Sequence, residues 1–364
     1  MIYLDHAATT PVAKEVLDAM LPYFTERFGN ANSQHTLGRE GAAAVLKARE
    51  EVAAAINARP SEIYFTAGGT EADNWAVKGT AIAHKEKGRH IITSKIEHPA
   101  IYTTCRQLEE LGCEVTYLDV DSEGLVNPAD LEKAIREDTI LVSVMFANNE
   151  IGTIQPVKEL ADICKEKKVL FHTDAVQAVG SVKIDVKELG CDMLSLSGHK
   201  FYGPKGIGAL YVKNGVKIGK LLTGGEQERS NRGGTSNVAN IVGLGKAITL
   251  AVEQLEENAK KIKALRDRFV KRVESEIPEV RYNGSRDKRL CSNASFSFRY
   301  IEGESILYSL DLEGIAASSG SACSSGSLEP SRTLLAIGVP LGLAHGTIRF
   351  SFGKDNTEAD VDYT

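Results

Sequence analysis

The 364-residue chain lacks the features that mark several functional classes. Its six cysteines, Cys105, Cys113, Cys164, Cys191, Cys291 and Cys323, stand far apart with no C-x-x-C pair, which excludes the usual zinc spacings and a disulfide framework. No stretch approaches the ~18 consecutive apolar residues of a membrane span. The opening MIYLDHAATTPVAKEV has no basic segment followed by an apolar one, so the expectation is a cytoplasmic protein with no membrane partner. Positive charge is not in surplus: 43 Lys and Arg against 49 Asp and Glu leave a net charge of −6, spread along the chain. That balance gives no electrostatic footprint for nucleic acid. Internal repeats and disordered low-complexity tracts are missing as well.

What remains is an ordinary globular composition, 42% hydrophobic and 25% charged, long enough for about two domains. From about residue 61 to 212, short β-rich runs alternate with helical patterns: EIYFT, HIITS, CEVTYLDV, TILVSVMF, VLFHTD, MLSLS and GALYV, separated by segments such as TEADNWAVKGTAIAHKE. The alternation predicts an α/β fold, a mainly parallel sheet covered by helices, with ligands beyond the carboxyl ends of the strands. Between about 246 and 277, Leu255, Ile262, Leu265, Phe269, Val273 and Ile277 recur at helical spacing and predict one long amphipathic helix joining two domains. ASFSFRY, ESILYSLDLEG, PSRTLLAIG and TIRFSFG then suggest a smaller α+β domain. The final NTEADVDYT starts as a helix, with Asn356 or Thr357 as N-cap, and stops at once, so the natural chain is expected to continue past Thr364.

Several strand ends carry residues with chemical potential. SLSGHKFYGPKGIG places Lys200 after a strand among small residues; a lone lysine is usually a solvated surface group. VLFHTDAVQAVG puts Asp174 at the end of an apolar strand, where a carboxylate needs a cationic partner or serves as a helix N-cap. Together they suit pyridoxal phosphate, which needs a lysine to bond its aldehyde carbon and a carboxylate to keep its ring nitrogen protonated. FTAGGTEADN offers an anion site for the phosphate, with Gly68, Gly69 and Thr70 at a helix N-terminus. In SKIEHPAIY, His98 can lie against the ring, and FANNEIGTIQP brings Asn148, Asn149 and Glu150 to the same sheet edge, although an Asn pair is also ordinary turn chemistry. Near the end of the chain, SSGSACSSGS sets one thiol, Cys323, among serines and glycines.

YLDHAATTP, TAGGTEADN, EHPA, NNEIGTIQP, HTDAVQAVG, SGHKFYGPKGIGALYV, SSGSACSSGSLEPS and TIRFSFG, running from Tyr3 to Tyr363, resemble the cysteine desulfurases of the NifS/IscS type, which are class V aminotransferase-like, fold type I pyridoxal-phosphate enzymes. The resemblance implies a large cofactor domain over 16–250 and a small domain formed by 1–15 with 251–364. It implies that Lys200 bonds pyridoxal 5'-phosphate and moves the Cα proton, that Asp174 pairs with the ring nitrogen and Gln177 with the phenolic oxygen, and that His98 stacks on the ring and assists proton transfer. Gly69, Thr70, Ser197 and His199 would hold the phosphate, with Thr235 of RGGTSN reaching it from the second subunit of a homodimer. Asn149 and Arg349 would bind the α-carboxylate of L-cysteine, since a guanidinium donates two parallel hydrogen bonds. Cys323 would take the substrate's sulfur as a persulfide and release alanine, then pass it to an iron–sulfur scaffold protein or another acceptor, where the thiol can act as a transient cluster ligand.

Two positions depart from the family pattern: Glu226 in GGEQER stands for a glycine, and Arg332 follows LEPS where histidine or tyrosine is typical. Selenocysteine lyase, with the same lysine, aspartate and cysteine, is the alternative reaction. A non-catalytic assembly partner with the same fold conflicts with intact Lys200, Asp174 and Cys323, and a serine or cysteine hydrolase lacks the G-x-S-x-G elbow.

Overall fold

The computed structural model describes residues 1–319 and 330–364; Cys323 lies outside the described residues. Seven of the apolar runs pair into one sheet: β2 (Ile63–Thr66), β3 (His90–Ser94), β4 (Glu114–Leu118), β5 (Thr139–Ser143), β6 (Leu170–Asp174), β7 (Met193–Ser197) and β8 (Gly208–Val212). β1 (Ile2–Tyr3) lies outside it. The order is β2-β8-β7-β6-β5-β3-β4, parallel throughout except that β8 runs antiparallel to both neighbours. β3, β5, β7 and β8 are buried along their whole length, as continuous apolar runs under helices on both faces require. The chain reverses direction across the sheet between β3 and β5, opening a crevice at the carboxyl ends of the strands.

A second core is built around β9 (Val280–Tyr282), β10 (Asn293–Phe298) and β12 (Thr347–Ser351), which form an antiparallel sheet in the order β12-β10-β9. Phe269 packs against Phe296, Phe350 and Phe352 there, with ring centroids 4.8 to 6.2 Å apart. The N-terminal β1 pairs in parallel with β11 (Ile315–Ala316), and Leu4 joins the same apolar cluster. The chain therefore starts in this smaller core and passes directly into the crevice of the large sheet.

The single helix expected over 246–277 is two. One runs Val238–Glu253, the next Leu255–Glu276, and their axes bend by 71° at Gln254. The physical reason is a change of partner: Val238, Ile241, Leu244, Ala247 and Ile248 are buried in the large core, whereas Ile262, Leu265, Phe269 and Val273 are buried in the small one. Two cores at different orientations cannot be served by one straight axis. Ile277, counted in the apolar stripe, ends the helix exposed. No single helix among the described residues is long and apolar enough to cross a membrane. Of the five described cysteines, Cys105, Cys164 and Cys191 are buried, and Cys113 and Cys291 are partly so. Thr357 rather than Asn356 caps the last helix, through a capping box with Asp360.

Glu226 is exposed at the start of a short turn. The carboxylate that matters locally is Glu228, which accepts from Arg49 Nη1 at 2.6 Å, Arg49 Nη2 at 2.8 Å and the Phe65 amide at 3.0 Å. Glu228, Arg229 and Ser230 all have left-handed backbones, a conformation costing L-residues roughly 1–2 kcal/mol each. The buried fork to Arg49 holds that turn in place. Glu228→Ala leaves the Arg49 guanidinium buried without its partner and is expected to lower unfolding free energy by about 3 kcal/mol, read as a shift in urea midpoint; an unchanged midpoint contradicts it.

Candidate active site

Five strand ends and the N-terminal segment meet around a cavity of about 280 Å³. It is lined by Ala7, Ala8, Gly69, Thr70, Asp73, His98, Met145, Asn149, Asp174, Val176, Gln177, Ser197, His199, Lys200 and Arg349. Ten of the residues singled out in the sequence therefore converge: Gly69, Thr70, His98, Asn149, Asp174, Gln177, Ser197, His199, Lys200 and Arg349. Thr235 is exposed and does not line this chain's cavity, and Cys323 is outside the described residues.

At the anion end, Gly68 adopts φ 151° and Gly69 opens the helix Gly69–Ala83, so free N–H groups face the cavity. A Cβ on Gly69 would stand 2.7 Å from Val176 Cγ2, and one on Gly208 2.9 Å from Gly68 Cα. The glycines are needed because helix, β8 and the turn after β6 close on one another here. His199 Nδ1 lies 3.1 Å from Thr9 Oγ1, and its pKa is pushed down to about 4 by burial, then by Lys200 and Lys205, which keeps the ring neutral.

Asp174 ends β6 and is buried, with Oδ1 accepting from the Val176 amide at 2.9 Å. It caps a turn, not a helix. Burial raises its pKa, while His98, the Val176 amide and Lys200 pull it back. His98 is the N-cap of the helix Pro99–Glu110: Nδ1 accepts from the Ala100 amide at 3.1 Å, which leaves the proton of the neutral ring on Nε2. Its pKa is lowered, mainly by burial and further by Lys200 and Arg332, against the pull of Asp174. Lys200 follows β7 and donates to Ala7 O at 2.5 Å and Ala8 O at 2.8 Å. Gln177 Nε2 donates to Ala7 O at 2.9 Å.

Arg349, on β12, brings the small core into the site. Its Nη1 donates to Asn149 O at 2.9 Å and its Nη2 to Asp5 Oδ1 at 2.8 Å. The Asn pair divides its labour: Asn148 Oδ1 accepts from the Glu150 and Ile151 amides and Nδ2 donates to Ile96 O, which is turn chemistry, while Asn149 lines the cavity.

Sequence reasoning missed Asp5, Glu97 and Asp73. Asp5 sits in the quoted YLDHAATTP, but its ion pair with Arg349 joins residues 344 apart in the chain. Glu97 precedes His98 and is buried, both its oxygens accepting from the Met145 amide at 3.1 Å and Oε1 from Ser94 Oγ at 2.5 Å; burial pushes its pKa up to about 8. It ties the loop bearing His98 to the end of β5. Asp73 lies one turn after Gly69, so helical periodicity alone could have brought it to the cavity. Its Oδ1 is buried with no hydrogen-bond partner among the described residues, 3.8 Å from His172 Nε2. Burial, and then the charge of Asp174, raise its pKa well above the usual carboxylate range.

In the cofactor-free protein that raised pKa has a definite sign. Folded Asp73 keeps a proton that the unfolded chain gives up above about pH 4, so its burial costs more stability as pH rises from there. Asp73→Asn should therefore gain urea midpoint relative to wild type at about pH 7.5 and gain less at about pH 4.5; an equal gain at both pH values contradicts it.

A lysine, a buried carboxylate and a glycine-lined anion site in one cavity fit pyridoxal phosphate. Asp174 can face a protonated ring nitrogen, and the N-terminus of Gly69–Ala83 the phosphate. Comparisons with known proteins agree. The aminotransferase class-V family profile matches residues 2–364. The chain is 56% identical over 363 residues to a cysteine desulfurase IscS of Dictyoglomus turgidum and 57% identical over 364 to one of Clostridium botulinum, covering all of this chain and 92% of each relative. A solved NifS-like protein superposes with a TM-score of 0.94 at 41% identity, covering 100% of this chain and 96% of that one. SspA in complex with cysteine superposes at 0.85 with 38% identity, covering 98% and 100%. The chain belongs to the class-V aminotransferase family, whose members use pyridoxal phosphate, and within it to the cysteine desulfurases of the IscS type.

Proposed function

We propose that this cavity removes sulfur from L-cysteine, with Lys200, Asp174, His98, Arg349 and Cys323 in separate roles. The observation that carries the assignment is the convergence of Lys200 and Asp174 with Arg349, contributed by the other core, on one cavity. Bound there, pyridoxal phosphate supplies an electron sink for the pair left when a proton leaves the substrate's Cα. Gly69, Thr70, Ser197 and His199 hold its phosphate, Asp174 its ring nitrogen and Gln177 its phenolic oxygen. Arg349, oriented by Asn149 O and Asp5, receives the substrate's carboxylate on its guanidinium edge, and Asn149 supports it. Lys200 takes and returns the Cα proton. His98, neutral and carrying its proton on Nε2, covers the ring and relays protons.

Cys323 as thiolate attacks the substrate sulfur: an S–S bond forms, the Cβ–S bond breaks, and the carbon gains a proton to leave as alanine. The persulfide then passes to a scaffold or other acceptor protein, where Cys323 can briefly ligate a cluster. A homodimer is inferred because Thr235 does not line its own chain's cavity while Thr70 is exposed at the rim. The division into 16–250 and 1–15 with 251–364 places the anion site on one unit and Arg349 on the other. The site is proposed to work in the cytoplasm.

Lys200→Ala should lose the visible absorbance of the bound cofactor. Asp174→Ala removes a charge-assisted hydrogen bond of about 1.5–3 kcal/mol, so the cofactor should dissociate about tenfold to a hundredfold more readily on dialysis. Cys323→Ser should keep the absorbance and lose both alanine and persulfide formation; undiminished turnover means another nucleophile. A strong preference for selenocysteine over cysteine in wild type would instead favour the lyase reaction.

A further inference from the structure

The described chain on either side of 320–329 is tied to Arg349, which lines the cavity, and to Glu150, the neighbour of the lining residue Asn149. Upstream, Ser318 forms an antiparallel bridge with Arg349: its amide donates to Arg349 O at 3.2 Å and its carbonyl accepts from Arg349 N at 2.6 Å. Downstream, Ser331 Oγ donates to Glu150 Oε2 and Thr333 Oγ1 to Glu150 Oε1 at 3.2 Å. Ser331 also caps the helix Arg332–Ala336 by accepting from the Leu334 amide at 3.3 Å. Between them Arg332 lays its guanidinium 3.4 Å above the ring of Tyr102, on the helix that His98 caps.

These contacts are not what generic helix capping requires. One hydroxyl at Ser331 suffices for the cap. A partly buried carboxylate that gathers two hydroxyls from a neighbouring helix start is costly unless both bonds are made. Glu150 also follows Asn149, whose carbonyl orients Arg349. Arg332 stands where the family pattern has histidine or tyrosine. An arginine there reaches the face of Tyr102; burial raises the pKa of Glu150, and the charge of Arg332 joins Ser331, Arg349 and Thr333 in opposing that rise.

We propose that Glu150, with Arg332 and Tyr102 in support, is a positioning residue for sulfur transfer: it fixes the chain at Ser331–Thr333, where Ser331 lies eight residues after Cys323, to the segment after β5 whose Asn149 carbonyl orients Arg349. This rests on the reading of Cys323 as sulfur acceptor. The anchor sets where the thiol-bearing segment rejoins the fold, and reacting atoms misplaced by about 1 Å can cost about a hundredfold in rate.

The test uses holoenzyme and L-cysteine in a single turnover, following persulfide on Cys323 by mass spectrometry after thiol alkylation and substrate binding by the cofactor's absorbance change. Glu150→Ala should slow persulfide formation about tenfold or more while the half-saturating cysteine concentration stays within about twofold. Thr333→Val and Arg332→Ala should each slow it by a smaller factor. Glu150→Ala combined with Thr333→Val should be no slower than Glu150→Ala alone, because the two variants remove one shared interaction. Wild-type persulfide rates in Glu150→Ala, a loss matched by weaker cysteine binding, or additive slowing in the double variant would each overturn the proposal. Persulfide on another cysteine in Cys323→Ser would instead remove the reading it rests on, and the proposal with it.

Discussion

A buried carboxylate needs a cation, and Asp174 is placed so that much of this structure answers that need. Burial pushes its pKa upward, and His98, the Val176 amide and Lys200, which follow three different strands, oppose this. With Asp73 and Glu97 nearby, three acidic side chains are buried at one sheet edge. Such a concentration is stable when protons or cations compensate it. A cofactor with a protonatable ring nitrogen is a natural counterion, which makes the fold and its cofactor one electrostatic unit.

The N-terminal segment links the two cores at this point. β1 and Leu4 belong to the small core, Asp5 holds Arg349, the Ala7 carbonyl receives Lys200 and Gln177, and Thr10 Oγ1 donates to the His199 carbonyl. A run of six residues therefore touches the carboxylate grip, the lysine and the anion end in turn. Displacing the small core would move Arg349 and the ceiling over Lys200 together.

Much of this was legible in the sequence because parallel strands under helices on both faces must be short, apolar and followed by turns. HIITS, VLFHTD, MLSLS and GALYV read as strands, and their last residues could be assigned to one edge without coordinates. The helix over 246–277 was misjudged for an equally physical reason. Helical periodicity reports that a face is buried but is silent on which core buries it, and the partner changes at Gln254. Asp5, Glu97 and Asp73 escaped notice since isolated carboxylates are ordinarily solvated.

By itself the sequence determined the α/β class, the succession of strand ends and the residue types that suit pyridoxal phosphate, because these follow from local periodicity and from what the chemistry requires of a lysine, an aspartate and a glycine-rich helix start. Only the tertiary structure decided that Asp5 holds Arg349, that Asp73 joins the cavity, that Gln177 leans on Ala7 and that Glu150 gathers Ser331 and Thr333. Each of these depends on contacts between segments far apart in the chain, and no local pattern encodes which distant group will satisfy a buried charge.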